Sequence, residues 1–216
     1  MAKPGATSAL TESGGGRSAE TRRLLIEAAI ETLKKEGFVG ASARAIAAEA
    51  GANQSLIFYH FGSVSNLLLA ALDAVSAERL EHYRHLVSAA GSLGGLVEAA
   101  AEVFRTDLDA GYITVLVEMM AGASSSADLG REVAARIDPW KEFARQAIER
   151  SVGGSLGTLI PAPDTAYAIV ALYLGLEMLS HLGGDRQPAL DLFDHARRLA
   201  PLLESVAGAD GQEVRA

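Results

Sequence analysis

Asn53, Gln54, Ser55 and Tyr59 place four polar side chains, donors and acceptors both, within seven residues of one another. Such groups can bond base edges or phosphate oxygens, and a helix of barely two turns fits a DNA major groove. Just upstream, Ala47, Gly51 and Ile57 have the spacing of two short helices that cross steeply. A small residue lets the helices approach, a glycine turns the chain, and an apolar residue closes the contact. Ile46 and Ala50 complete the inner face. The same spacing also fits an ordinary helical hairpin with a glycine turn.

Other chemistry has less support. Glu78, His82 and His85 would share one face of a helix and could hold a divalent cation. That helix should be largely solvated, however, and no second ligand cluster accompanies it. There is no cysteine, which excludes disulfides, thiolate metal sites and a cysteine nucleophile. The serine, histidine and aspartate inventory contains no nucleophile elbow. The expectation is a protein without cofactor or metal that is not an enzyme.

The elements that must position these residues read as helices throughout, because no stretch alternates with period two. Ser18 is expected to cap a first helix, with Leu24, Leu25, Ala28, Ala29 and Leu33 as its apolar stripe and Gly37 as its stop. Ser42 caps a second helix to Ala50, and a third runs from about Asn53 to Tyr59. After Gly62 a long fourth helix reaches about Ala89. Ser88 to Gly95, with three glycines, marks the break that follows it. Later helices are expected over 96–110, 112–121, 128–152 with a division at Asp138-Pro139, 164–182 and about 188–206. Tyr112 to Ala121 is apolar nearly all round, the pattern of a buried helix. Residues 1–17 and 207–216 read as flexible tails, and a glycine-rich linker precedes Pro163.

About half of the 216 residues are apolar, so a core can form. The longest apolar stretch, Ala166 to Leu182, is broken by Glu177, Ser180 and His181 and looks too short for a membrane span. With no secretory signal at the N-terminus, a cytoplasmic protein without membrane contact is expected. The net charge of −8 is unevenly spread. Residues 1–62 carry +1 and the remainder −9, so one weakly basic end could dock on phosphates while the rest stays acidic.

The run from Gly37 to Leu72 resembles the DNA-binding head of the TetR (tetracycline repressor) family. The resemblance rests on Gly37-Phe38, Ser42-Ala43-Arg44-Ala45-Ile46-Ala47, Ala50-Gly51, Ile57-Phe58-Tyr59-His60-Phe61, and Ser63 followed by Leu67. It spans roughly residues 20–72. It implies an all-α protein of about nine helices: a three-helix head with a helix-turn-helix over 18–66, and a helical ligand-binding and dimerisation domain over 67–206. In the head it implies that Ser42, Arg44, Asn53, Gln54, Ser55, Tyr59 and His60 contact double-stranded DNA, while Phe58 and Phe61 can pack or touch. Two departures stand out. Val64 occupies a position where the family usually carries a phosphate-binding Lys, and Phe58 replaces a frequent Tyr.

The resemblance also implies a homodimer and a small-molecule effector. The last two long helices offer the dimer surface through Leu172, Gly175, Leu176, Leu179, Leu199 and Leu202, although this stripe could equally be internal core. Ligand contact is expected from large, adaptable side chains: Phe104, Leu108, Tyr112, Met119, Trp140, Phe143, Tyr173 and Met178. Glu118 and Glu177 each stand alone in an apolar helix. They either orient a ligand or pair with an arginine such as Arg105. A ligand-responsive repressor is the leading reading; a helical enzyme, or an adaptor with a degenerate head, is the alternative.

Overall fold

The computed structural model describes residues 9–124, 126–151 and 161–213; for 9–15, 151 and 206–213 it describes the backbone alone. Among the described residues there are ten helices and no strand. They are α1 (Ala9–Gly40), α2 (Ala43–Glu49), α3 (Ser55–Phe61), α4 (Val64–Ser88), α5 (Leu93–Ala110), α6 (Tyr112–Ala123), α7 (Ala127–Ala135), α8 (Asp138–Ser151), α9 (Ala162–Gly183) and α10 (Gln187–Glu213).

Local capping explains many of the boundaries. The hydroxyls of Ser42, Ser63, Ser92 and Ser126 accept the backbone N–H three residues on, at the starts of α2, α4, α5 and α7. Gly37 takes φ +71° and bends α1 near its end, so the expected stop is a kink followed by one more turn. Ser18 does not cap, because the helix already runs from Ala9 and absorbs half of the expected N-terminal tail. Likewise α10 continues through Glu213, over most of the residues expected to be a flexible tail. Asp138 lies inside the first turn of α8, and Ile137 supplies the first carbonyl. The expected glycine-rich linker falls almost wholly outside the described residues.

One apolar core joins the head to the body. Leu25, Leu33, Ile46, Ile57 and Leu67 from α1 to α4 are fully buried together with Ile113, Val115 and Met119 of α6. The buried helix expected at 112–121 is thus the strut on which α1 rests, and α7 packs against it. Beyond this core α9 lies on α8, and α10 lies on α5, rather than on each other. A cavity occupies the space left between these pairs. At 22 residues, α9 is long and apolar enough to cross a membrane by length and composition, contrary to the expectation, because the helix extends beyond the apolar stretch at both ends. Within it, however, Glu177 and Ser180 face the protein interior.

Candidate DNA interface and effector cavity

The helix-turn-helix closes as the residue sizes require. Ile46 and Ile57 are fully buried and Ala47 nearly so, with Gly51 at φ +59° making the turn. The Asn53 carboxamide oxygen accepts the Ser55 N–H at 2.9 Å and starts α3. Burying Ile57 and Phe61 leaves Asn53, Gln54, Ser55, Phe58 and Tyr59 exposed. Tyr59 is 81% exposed and Phe58 51%. His60 is half-buried, edge-on to Tyr59 at 4.9 Å.

Several cations of the head are paired with carboxylates. Arg23 pairs with Glu20 and Glu27, Lys34 with Glu31, and Lys35 with Glu49. Arg44, exposed on α2, pairs with no carboxylate among the described residues. Arg22, which the sequence reading passed over, clamps the end of α3. Its Nη1 donates to the His60 carbonyl at 2.9 Å and its guanidinium lies 4.2 Å from the Phe61 ring centre. Val64 is half-buried against the head core, so this position packs where a Lys would reach outward.

Behind the head, the cavity holds about 460 Å³ and is walled almost wholly by apolar side chains of α4 to α10. Tyr112, Trp140, Phe143 and Tyr173, all expected at a ligand site, line it. Phe104, Leu108 and Met119 do not; they are packing residues, with Phe104 edge-on to Tyr173 at 5.9 Å. Met178 is half-buried outside the lining.

Neither glutamate lines the cavity. Glu118 accepts the backbone N–H of Phe38 at 2.8 Å, tying α6 to the end of α1 just past the Gly37 kink. Arg105, its suggested partner, bonds Glu102 instead. Glu177 is fully buried, 3.7 Å from Arg79, with no hydrogen bond to either carboxylate oxygen. Burial, reinforced by the charge of Asp107, pushes its carboxyl well above the usual range.

Around it lies a network the sequence reading missed. Asp107, itself fully buried, accepts Arg79 Nε at 2.8 Å and Tyr173 OH at 2.9 Å, and also Arg79 Nη2 and Tyr83 OH. An arginine in the apolar stripe of α4, one turn from Val75 and one from Tyr83, was the available signal. The candidate metal trio does not converge: Glu78 accepts the Tyr112 hydroxyl at 3.4 Å, while His85 turns to Glu81 at 3.9 Å.

Residues 25–71, the helix-turn-helix and the start of α4, match the profile of the bacterial regulatory proteins of the tetR family. This part of the chain is similar to the DNA-binding head of that family. No curated protein matches it. Among solved structures, a TetR-family member from Streptomyces coelicolor A3 is 26% identical, with a TM-score of 0.60, over 82% of this chain and 98% of that one. A protein of Pseudomonas aeruginosa PAO1 assigned as a transcriptional regulator is 25% identical, with a TM-score of 0.63, over 81% of this chain and 87% of that one. The transcriptional regulator FadR from Bacillus subtilis, solved with stearoyl-CoA, shares the fold at 12% identity, with a TM-score of 0.67, over 82% of this chain and 96% of that one.

Proposed function

We propose that this chain is a TetR-family regulator, a cytoplasmic, ligand-responsive repressor that binds a palindromic operator as a homodimer and leaves it when a small, mostly apolar effector fills the cavity. One observation carries the reading: a two-turn helix with its polar residues and two aromatic rings turned outward, beside an unpaired Arg44, is joined through one core to an apolar cavity. Gln54 and Ser55 would read base edges, and Arg44 a guanine or a phosphate. Tyr59 and His60 would hold the backbone and fix register.

Two half-sites lie about 34–36 Å apart on one face of the duplex, so two heads must be held at that spacing. Leu172, Leu179, Leu199 and Leu202, each more than half exposed, give α9 and α10 an apolar surface suited to a second copy. Leu172 and Leu179 would then serve that second copy, so that the apolar character of α9 needs no membrane. Ligand and DNA then bias one two-state element and must oppose each other equally. The FadR structure that shares this fold was solved with stearoyl-CoA, a long acyl chain on a charged carrier, which supports a cavity-bound effector.

The test is a mobility shift on DNA upstream of the chain's own gene over a range of salt. Retention should be specific and fall steeply with salt. It should weaken by about 1–3 kcal/mol in Arg44→Ala, and more in the Arg44→Ala, Gln54→Ala double variant. Equal retention of scrambled DNA by all three proteins would refute the reading.

A further inference from the structure

The cavity wall has a polar spot around Arg79. Arg79 and Arg136 are the charged residues among the lining side chains, and each is neutralised from behind. Arg136 pairs with Asp73 at 2.8 Å and Glu132 at 3.0 Å. Arg79 gives Nε and Nη2 to Asp107, whose remaining acceptor capacity is taken by the Tyr83 and Tyr173 hydroxyls.

A carboxylate offers about four lone-pair sites, so Asp107 is filled and has nothing left for a ligand. Arg79 has five N–H donors, and its Nη1 has no partner among the described residues. The same holds for the indole N–H of Trp140, over whose ring the Arg79 guanidinium stands at 4.7 Å. The hydroxyls of Tyr112 and Tyr173 already donate to Glu78 and Asp107. Beside the hydroxyls of Ser76, Thr165 and the tyrosines, which can accept, the wall therefore keeps two N–H donors for a ligand. Asp107 acts as a positioning residue that locks the guanidinium.

The lining extends along α4 from Leu72 to Val87, about 22 Å at the helical rise, so the space is long. Resting on the cavity being the effector site, we infer that the effector is an uncharged, elongated apolar molecule whose one polar group is a carbonyl-type acceptor held by Arg79 Nη1 and the Trp140 N–H. A cationic head would meet Arg79. A carboxylate would bring a further acid beside Asp107 and Glu177 in a buried place, at a steep desolvation cost.

Trp140 is the sole tryptophan of the chain and stands in the cavity wall, so its fluorescence reports occupancy directly. The full chain would be titrated with 2-undecanone, undecanoate and undecyltrimethylammonium, all below micelle-forming concentration. The ketone should bind at least tenfold more tightly than either ion. In Arg79→Met, Asp107→Leu, which removes both charges together and should fold, the ketone should lose at least tenfold in affinity. Tightest binding by undecanoate or by the ammonium would overturn the neutral-acceptor assignment and leave the cavity as effector site. Unchanged ketone affinity in the double variant would remove Arg79 from the assignment. No response of Trp140 to any of the three would overturn the inference and the effector cavity together.

Discussion

A carboxylate set in an apolar helix must either find a donor or surrender its charge. Glu118 takes the first course, accepting the Phe38 N–H, and Glu177 the second, with no hydrogen bond in a fully buried place. The facing groups are Asp107 on α5, Arg79 and Tyr83 on α4, and Tyr173 on α9. Unfolded, Glu177 ionises near its ordinary value of 4.5; folded, it holds its proton well above that. Between these two values the folded state binds more protons than the unfolded, so stability falls as pH rises. Glu177→Gln removes that slope. Thermal melts from pH 5 to pH 8 should show the parent losing midpoint temperature relative to the variant, and parallel profiles would contradict this. The lone glutamates were visible in the sequence because each interrupts an apolar run. Their partners were not, since Phe38 lies 80 residues from Glu118. Arg79 and Asp107, 28 residues apart, escaped notice for the same reason.

At the scale of elements, the serine caps and glycine turns of the head were legible because each acts within three or four residues. Gln54, Ser55 and Tyr59 were correctly expected on the outside, since burying Ile57 determines which face of so short a helix is left. The expected Ser18 start and the tail after 206 failed because helix ends there depend on more than a local signal. The joint between α1 and α6 is a tertiary feature. Phe38 lies over Gly122 so closely that a Cβ at that position would come within 2.4 Å of the ring. Gly122→Ala should therefore cost about 1–3 kcal/mol by overpacking, read as a lower unfolding midpoint. Because the same joint links the cavity-bearing half to the head, DNA retention should change as well. A variant of unchanged stability would mean that Phe38 has room to move.

At the scale of the whole molecule, the exposed leucines of α9 and α10 and the outward face of α3 set the conditions for the proposed function. Leu179 is 70% exposed and Leu202 61%, a poor arrangement for a chain alone in water. Leu179→Glu, Leu202→Glu should yield a folded monomer by light scattering, with helicity intact and operator retention reduced by orders of magnitude. A variant that remains dimeric would move the interface elsewhere. Salt dependence belongs to this scale as well. With Val64 turned to the core in place of a Lys, the head has one fewer phosphate contact, and the slope of affinity against salt should be correspondingly shallow.

The sequence by itself determined the helices, the turn at Gly51, the outward face of α3 and the likeness to one family. All of these follow from periodicity, capping and residue size acting over a few positions. The tertiary structure alone decided which of the apolar side chains wall a cavity and which fill a core. Tyr112, Trp140, Phe143 and Tyr173 face the open space, while Phe104, Leu108 and Met119, equally large and apolar, are spent on packing. Periodicity shows only that a helix face is turned away from water. Whether it meets a neighbouring helix or a gap depends on α9 lying on α8 and α10 on α5, a choice made between segments distant in the chain. The same long-range pairing brought Asp107 to Arg79 and so gave the cavity its polar spot.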